Sequence, residues 1–463
     1  MSWLQAQLQE NPRKLFILEG NHSYLIMDIA EMVQSYSQAL LREGIQAHDR
    51  ILIYLPSSIE MAEIILSCFE IGAIITPLSQ MLTNKERVAI LKIIQPRLII
   101  TNWDGQEIFS SVSFPLTCIE EMPNSSGGCS VFKNEYEKKL DDVCAIILTS
   151  GTTGIPKAVQ LTYGNFEISC RNWNGFLQFK PSDHFLCCLP LHHIGGLAVL
   201  IRALIYGFSA NLVRTFEAET VYNVISNHPV SIISLVPTML KRILAIENGL
   251  EALKTLRHIL LGGGPSPEIL LDTCIKEKLP IVKVYGMSET CSGTFGIKLL
   301  DEPSKKYYAG RPFPGTKVWI KNDEIHIAGP MVMKGYMDEE ETKGTHNSHD
   351  LGRIDDDLLY LHIRRKDLII SGGNNINPLE VEECLMNVNG ITDVAVVGID
   401  DDEWGQKVTA FIVHESIPLD IELLSRELRK YISPYKVPKE YIQVPHIPRN
   451  ELGKIVYEKL KSL

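Results

Sequence analysis

A run of ten small, hydroxyl-bearing and basic residues at positions 148–157 has the composition of a phosphate-binding loop. The residues that could bind phosphate in this run are Thr149, Ser150, Gly151, Thr152, Thr153, Gly154 and Lys157. Glycines let backbone N–H groups approach anionic oxygens, hydroxyl groups add donors, and the lysine supplies a mobile positive charge. An ordinary Ser/Thr/Gly turn is the alternative, but ten consecutive residues of this composition favour a polyphosphate ligand.

The Walker A loop of P-loop ATPases is the nearest other phosphate-binding motif, and the spacing argues against it. Gly151 and Gly154 are too close together, and Ala158 stands where a hydroxyl residue would hold magnesium. The residues after Lys157 predict a strand, so no helix N-terminus would face the phosphates. The run instead resembles the phosphate loop of the adenylate-forming superfamily, which includes acyl-CoA synthetases, luciferases and peptide-synthetase adenylation domains.

A second stretch resembles the superfamily's adenine loop. Gly262, Gly263 and Gly264 follow a predicted strand, as in the loop that lets adenine lie against bare backbone. Three glycines after a strand also fit an ordinary turn, and that alternative stays open.

The residues from 285 to 290 resemble the superfamily motif Y-G-x-T-E. An aromatic ring can stack on adenine, and a carboxylate at a strand end can hold Mg²⁺ between phosphate oxygens. The resemblance therefore implies that Tyr285, Gly286 and Ser288 bind the nucleotide, with Ser288 in place of the usual threonine. It makes Glu289 a catalytic residue and the metal ligand.

Residues 349–352 stand where the superfamily has the end of T-G-D-x-G, whose aspartate accepts hydrogen bonds from both ribose hydroxyls. Asp350 matches that aspartate. His349 stands where glycine is usual, so we expect the local backbone to differ.

Three later positions complete the resemblance. Arg364 matches a ribose-binding arginine, and Asp367 matches the hinge between two domains. Gly372 and Gly373 resemble the glycines that line the pantetheine tunnel of coenzyme A. Lys454, in the string P-R-N-E-L-G-K-I, resembles the catalytic lysine that bridges the attacking carboxylate and the α-phosphate, and its proposed contribution is electrostatic.

The resemblance implies an AMP-forming acid-thiol ligase that uses ATP, Mg²⁺ and coenzyme A. A carboxylate would attack the α-phosphate of MgATP, and the thiol of coenzyme A would then displace AMP. A catalytically silent relative would be expected to lack Lys454, Glu289 or Asp350, and all three are present. A peptide-synthetase domain is disfavoured because the sequence ends nine residues after Lys454, and nothing independent supports luciferase chemistry.

Several strings look most like the o-succinylbenzoate-CoA ligases of menaquinone biosynthesis, chiefly residues 190–196, 286–292 and 365–373. His193 matches the histidine of the motif P-L-x-H-x-x-G, which lies beside the acyl pocket in the superfamily. The resemblance therefore predicts a catalytic role for His193. Alternatively, His192 and His193 simply cap a strand end. Because Asn375 and Asn377 replace residues often acidic and aromatic in these ligases, a fatty-acid or aryl-acid CoA ligase is the alternative.

The elements that must position these residues follow one plan. Short apolar runs that end in Pro, Gly or polar residues alternate with segments whose apolar residues recur at helical spacing. The plan predicts strands at 51–55, 72–76, 99–100, 143–149, 158–161, 185–189, 232–236, 258–261 and 281–285. It predicts helices at 60–69 and 165–179, and residues 122–140 are expected to form a surface linker between two α/β units. In such folds, ligands bind beyond the carboxyl ends of the strands.

The fold class is therefore α/β, with a large N-terminal domain of mostly parallel sheets covered by helices and a small, mobile α+β C-terminal domain. We place the boundary between residues 1–366 and 367–463. Short strands at 317–320 and 324–327 precede it. Helices at 378–386 and 421–431 and strands at 394–397 and 409–413 follow it.

Composition limits the possible partners. A net charge of −11 argues against nucleic acid or an anionic membrane as the main partner. No apolar run approaches the ~20 residues that span a bilayer, and the first ten residues do not resemble a signal peptide, so we expect a cytoplasmic protein. The ten cysteines lack C-x-x-C spacing and predict reduced core residues. The partners are small molecules, and a homodimer is possible because related ligases are often dimers.

Overall fold

The computed structural model of the chain describes residues 2–110, 112–122, 136–149, 156–264, 266–362, 369–371, 374–401, 403–414, 421–451, 453 and 455–461. The strands before residue 362 are β1 (Leu15–Glu19), β2 (His22–Leu25), β3 (Arg50–Tyr54), β4 (Ile74–Pro77), β5 (Leu98–Thr101), β6 (Leu116–Cys118), β7 (Val143–Thr149), β8 (Lys157–Thr162), β9 (His184–Cys187), β10 (Ser209–Leu212), β11 (Ile232–Leu235), β12 (His258–Leu261), β13 (Ile281–Met287), β14 (Ser292–Lys298), β15 (Arg311–Pro312), β16 (Lys317–Lys321), β17 (Glu324–Ala328), β18 (Gly335–Tyr336), β19 (Thr345–Asp355) and β20 (Leu358–Leu361). The later strands are β21 (Ile369–Ser371), β22 (Asn374–Ile376), β23 (Ile391–Asp401), β24 (Gly405–His414) and β25 (Glu440–Gln443).

The helices lie between these strands. They are α1 (Trp3–Glu10), α2 (Ile26–Arg42), α3 (Ile59–Ile71), α4 (Asn84–Ile94), α5 (Trp103–Phe109), α6 (Tyr163–Leu177), α7 (Ile194–Tyr206), α8 (Ala218–Asn227), α9 (Pro237–Leu244), α10 (Gly249–Lys254), α11 (Glu268–Lys276), α12 (Pro378–Met386), α13 (Ile421–Leu428) and α14 (Tyr457–Lys461).

Local sequence explains where the helices begin and end. In α3, the hydroxyl of Ser58 accepts the N–H of Met61, and Gly72 ends the helix with a left-handed φ of 76°. In α12, Asn377 caps the N–H of Glu380, and Pro378 occupies the first helical position, where its missing N–H leaves no bond unmade. The predicted helix at 378–386 is therefore confirmed at both ends.

The largest sheet has nine strands in the order β15-β14-β13-β12-β11-β9-β10-β1-β2. The six strands from β13 to β1 pair in parallel, whereas β14, β15 and β2 are antiparallel. The parallel strands have apolar residues on both faces, as expected of a sheet that helices cover on both sides. This arrangement confirms the predicted strands at 232–236, 258–261 and 281–285 and brings their carboxyl ends to one edge.

A second sheet has seven strands in the order β18-β8-β7-β4-β3-β5-β6, of which β7, β4, β3, β5 and β6 are parallel. It corrects the interpretation of residues 122–140 as a surface linker between two units. Strand β7, which follows that stretch, pairs with β4, which precedes it, through Ile75 and Ala145. At the described end of the stretch, the Lys138 ammonium lies 3.4 Å from the centre of the Trp3 ring, whereas Glu137, Lys139 and Leu140 are exposed, as predicted for a surface segment.

A small antiparallel sheet, β16-β17-β19-β20, precedes the C-terminal unit. In that unit β22, β21, β24, β23 and β25 form one sheet, and α12 and α13 share its apolar core. The predicted domain boundary at 366/367 lies outside the described residues, so it stays a prediction.

The remaining predictions from composition can be compared with the fold. The nine cysteines within the described residues are free thiols, and eight are buried, which fits their predicted role as reduced core residues. None of the described helices combines the length and the apolar character that crossing a bilayer requires.

Candidate active site

Three strands in one parallel group of four in the nine-stranded sheet bring predicted site residues to one edge. Strands β9, β11, β12 and β13 are adjacent and parallel, so their carboxyl ends lie side by side. The loop after β9 carries His192 and His193, the loop after β12 carries the three glycines, and β13 ends in the motif from Tyr285 to Glu289. This edge is where an open α/β sheet binds its ligands.

The predicted phosphate loop connects two antiparallel strands, β7 and β8. Their last described pair is Thr149 opposite Lys157, so the two ends of the run lie side by side. The absence of a helix after the lysine is confirmed, because Lys157 begins β8. Five predicted ligands of this loop, Ser150, Gly151, Thr152, Thr153 and Gly154, lie outside the described residues.

Lys157 and Glu289 both contact one tyrosine, Tyr336. The Lys157 ammonium lies 4.3 Å from the centre of the Tyr336 ring, and the Tyr336 hydroxyl donates a hydrogen bond of 2.8 Å to the Glu289 carboxylate. Strand β18 holds Tyr336 beside the phosphate hairpin by pairing with β8. Burial and the Glu289 charge raise the pKa of Tyr336, so its hydroxyl stays a donor at neutral pH.

The surroundings of Glu289 fit a magnesium ligand. Glu289 is half-buried in a single 3₁₀ turn, Ser288–Thr290, which follows β13 directly and also contains Ser288. Its backbone carbonyl is fixed by the N–H of Met333 at 2.8 Å. Mg²⁺ usually takes one or two protein carboxylates and completes its shell with substrate phosphates and water, so one carboxylate beside a polyphosphate loop suffices.

The predicted adenine and ribose ligands are in direct contact. The hydroxyl of Tyr285 donates to the carboxylate of Asp350 at 2.7 Å. Asp350 lies on β19, is only 8% exposed, and its N–H donates to the hydroxyl of Ser348. His349 has a φ of 56°, a left-handed conformation that glycine adopts without strain, which explains why glycine is usual at this position.

The glycines of the site are needed for two different reasons. A Cβ on Gly286 would lie 2.5 Å from the Cα of Gly293 and closer still to a carbonyl oxygen, so the β13–β14 pairing requires glycine there. A Cβ on Gly262 would lie 2.7 Å from a methyl carbon of Val284, and Gly263 has a φ of 78°. Gly264 has open space where a side chain would be, so its backbone is accessible to a flat ligand.

His193 ends the loop after β9 and immediately precedes α7, with its carbonyl accepting the N–H groups of Gly196 and Leu197 at 3.0 Å. Its imidazole makes no capping hydrogen bond to the helix and packs against the ring of His192, with centroids 4.3 Å apart. Within the described residues, His192, His193 and Glu451 form the one group of three possible metal donors. This group is separate from the predicted metal ligand, Glu289.

Four predicted site residues of the C-terminal region cannot be placed. Arg364, Gly372, Gly373 and Lys454 lie outside the described residues, as does the predicted hinge residue Asp367. Their roles remain predictions from the motifs.

Three residues near the site were missed by sequence reasoning. Tyr336 has no signal except its position in a Gly-Tyr pair, and Glu451 is an ordinary acidic residue in a loop. Arg202 had a usable signal, because it is a cation within the apolar run of α7.

Arg202 is 2% exposed, which is rare for arginine. Its guanidinium donates to the Ser292 hydroxyl at 2.9 Å and lies 4.3 Å from the Trp173 ring. Its Nε atom has no partner among the described residues. A buried cation without a carboxylate partner is expensive, so it is a candidate ligand for an anionic group.

Sequence and structure comparisons give one consistent result. The family profile "AMP-binding enzyme" matches residues 4–337, and "AMP-binding enzyme C-terminal domain" matches residues 380–454. The 2-succinylbenzoate–CoA ligases of Bacillus licheniformis and Oceanobacillus iheyensis are 33% and 34% identical over 99% of this chain and cover 99% and 98% of their own lengths.

Solved structures of o-succinylbenzoate coenzyme A synthetase from Bacillus subtilis are also similar, at 29% identity. The complex with the acyl-adenylate intermediate has a TM-score of 0.90 and the complex with ATP and a magnesium ion has 0.89, each over 99% of this chain and over 97% and 99% of the solved chains. A double mutant bound to a product analogue has a TM-score of 0.74 over 100% of this chain and 98% of that one. The chain is therefore more similar in shape to the adenylate- and ATP-bound structures than to the product-analogue complex.

Proposed function

The chain belongs to the AMP-binding enzyme family, and from that premise we propose that it is an AMP-forming acid–CoA ligase whose acid is 2-succinylbenzoate. In the first step, a carboxylate oxygen attacks the α-phosphorus of MgATP, a P–O bond forms, and pyrophosphate leaves with the electrons of the α–β anhydride bond. In the second step, the thiolate of coenzyme A attacks the acyl carbon, a C–S bond forms, and AMP leaves.

One observation carries this proposal. Tyr285 lies near the end of β13 and Glu289 just after it, where Tyr285 contacts Asp350 of β19 and Glu289 contacts Tyr336 of β18, whose ring lies beside Lys157 at the start of β8. The first pair suits a nucleoside and the second suits a polyphosphate with its metal ion. Together they fit the two ends of ATP.

Each residue then has a physical task. Asp350 would accept hydrogen bonds from the ribose hydroxyls, and the Tyr285 ring would pack on adenine while its hydroxyl orients Asp350. Lys157 would neutralise phosphate charge, and Glu289 would hold Mg²⁺, which draws electron density from the phosphate oxygens when bound. On the basis of its motif, we assign to Lys454 the stabilisation of the negative charge that builds up at the α-phosphate.

The identity of the acid is supported by the full-length relatives and by Arg202. 2-Succinylbenzoate has two carboxylates, one that reacts and one on the ring that needs a partner. We assign this role to the buried guanidinium of Arg202 on α7, the helix that begins directly after His193. Coenzyme A as the thiol and a homodimer as the assembly are further parts of the proposal.

The test is pyrophosphate release by the purified protein with ATP and Mg²⁺, screened across 2-succinylbenzoate, benzoate and fatty acids. We expect release that depends on 2-succinylbenzoate, with AMP as the nucleotide product and a thioester detected by mass spectrometry once coenzyme A is added. Formation of ADP and orthophosphate would refute the chemistry. A strong preference for a fatty acid would refute the substrate and leave the adenylation mechanism intact. Light scattering of the same sample gives the oligomeric state.

A further inference from the structure

A loop of the C-terminal unit touches the large domain beside the candidate active site. Oε2 of Glu451 lies 2.6 Å from Nε2 of His192, and the Ser79 hydroxyl donates a hydrogen bond to Oε1 of the same carboxylate. Ser79 follows β4 in the seven-stranded sheet, and His192 follows β9 in the nine-stranded sheet. We call these three side chains the Glu451 contact. One carboxylate thus bridges the two largest sheets of the large domain.

The Glu451 contact is shielded from solvent. The side chains of His192 and Glu451 are 10% and 19% exposed, so their interaction is screened less than a surface ion pair. The two atoms are in contact at 2.6 Å without a hydrogen bond of good geometry between them, and the hydrogen bond that the Glu451 carboxylate accepts comes from the Ser79 hydroxyl. Burial alone raises the pKa of Glu451, but its contacts with His192 and Ser79 and the nearby His193 outweigh burial and lower it.

The loop that carries Glu451 is held in shape from within its own domain. The Arg449 guanidinium donates to Asp393 at 2.7 Å and to the carbonyl of Gly453 at 3.0 Å. Residues Arg449 and Ile455 also pair across the loop. A displacement of Glu451 would therefore also displace the residues held together with it, rather than change only the rotamer of its own side chain.

Gly453 packs the same loop onto a second place in the large domain. A Cβ on Gly453 would overlap the Thr238 hydroxyl and lie 3.2 Å from a methyl carbon of Val236, both at the start of α9. Its φ of 70° is also one that glycine adopts freely. Glu451 and Gly453 thus dock the loop on the ends of β9, β4 and β11, next to His193.

We propose that Glu451 is a positioning residue for the adenylation step, acting by docking this loop on Ser79 and His192. This inference rests on the proposed function, in which the lysine that directly follows Gly453 in the sequence acts at the α-phosphate. Ser79 and His192 belong to the large domain and Glu451 to the small one. The contact therefore forms only in this domain arrangement, and it favours this arrangement over any other by its own free energy.

The test measures the two half-reactions separately in the full-length chain. Pyrophosphate release with ATP and the acid reports adenylation, and thioester formation from synthetic acyl-adenylate and coenzyme A reports the second step. Glu451→Gln keeps the shape of the side chain and removes its charge. Because a hydrogen bond to a charged group contributes about 1.5–3 kcal/mol, we expect kcat for adenylation to fall by about 10- to 100-fold. The thioester step should stay within about twofold if, as the family resemblance implies, the small domain rotates away and breaks the contact before that step.

Two further variants keep the result interpretable. Glu427→Gln is the matched control, since Glu427 pairs with Lys430 on the surface of the same domain and should leave both half-reactions unchanged. His192→Gln, alone and combined with Glu451→Gln, forms a double-mutant cycle. If the two side chains act through one contact, the double variant should be no slower in adenylation than the slower single variant.

The possible outcomes are distinct. Equal losses in both half-reactions, an unchanged adenylation rate or additive losses in the cycle would each overturn the positioning role. Melting temperatures of all variants identify a general loss of folding, which would lower both half-reactions together. If the wild-type chain releases no pyrophosphate with any acid, the proposed function fails instead, and that result is seen before any variant is made.

Discussion

Substitution of Asp350 by asparagine tests whether this carboxylate binds ribose or only holds Tyr285. Asp350 is 8% exposed and accepts the Tyr285 hydroxyl at 2.7 Å, so any hydrogen bond that it makes to a ribose hydroxyl is shielded from water. Each hydrogen bond to a charged group contributes about 1.5–3 kcal/mol. The amide keeps one acceptor oxygen and loses the charge, so we expect a loss of about 2–4 kcal/mol in transition-state binding. That loss corresponds to about 30- to 700-fold in kcat/KM for ATP.

The control is Tyr285→Phe, which keeps the ring and removes only the hydroxyl. If Asp350 binds ribose, this variant should lose no more than about tenfold in kcat/KM, the effect of one hydrogen bond to a charged group at the weak end of its range, about 1.5 kcal/mol. Pyrophosphate release with ATP and with 2′-deoxy-ATP supplies the assay. The wild-type chain should discriminate strongly against the deoxynucleotide, and Asp350→Asn should discriminate much less. Equal losses in the two variants, or undiminished discrimination by Asp350→Asn, would refute the assignment and make Asp350 a partner of Tyr285 alone.

Five other substitutions, two of them compared as a pair, have expected outcomes. Gly286→Ala should lower stability by about 2–4 kcal/mol because its Cβ meets backbone atoms, whereas Gly264→Ala should leave the melting temperature unchanged and raise KM for ATP. Lys454→Ala should slow pyrophosphate release by about 100-fold or more while converting synthetic acyl-adenylate to thioester normally; equal losses would reject two separate steps. Arg202→Met should raise KM for 2-succinylbenzoate about tenfold or more and leave KM for a monocarboxylic aryl acid unchanged, and parallel changes would contradict a carboxylate-binding role. Burial raises the pKa of Glu63 to about 8 from its ordinary value of 4.5. Between these two pH values the folded chain keeps a proton on Glu63 that the unfolded chain releases. The free energy of unfolding should therefore fall as the pH rises from 4.5 through 8. Glu63→Gln should therefore melt higher than the wild-type chain at pH 9 but not at pH 4, and an unchanged difference between the two pH values would contradict this.

The parallel sheets were predictable because their strands are continuous apolar runs that stop at Pro or Gly. Strand β12 was predicted to the residue, since three glycines end it abruptly. Strand β19 was missed because its sequence, THNSHDLGRID, is mostly polar. It lies in a small antiparallel sheet whose burial depends on pairing with β17 and β20, which no local pattern reveals.

The sequence identified individual residues of the candidate site, but it did not predict the contacts between them. Motifs pointed to Tyr285, Asp350, Lys157 and Glu289 separately, yet the sequence holds no sign that the first two share a hydrogen bond. The role of Tyr336 as a spacer between Lys157 and Glu289 arises from the pairing of β18 with β8, a register fixed only by the folded sheet. Residues 122–140 were misjudged for a similar reason, because composition alone does not show that the strands on either side pair with each other.

The position of β1 in the nine-stranded sheet has a consequence for synthesis of the chain. This strand pairs with β10, so Ile17 lies opposite Ala210. A ribosome that adds about 5–20 residues per second needs about 10–40 s to make the partner after the first strand emerges. During that interval β1 can pair with β2 but not with β10, so nascent chains stalled before residue 209 should bind chaperones more strongly than chains released after residue 212.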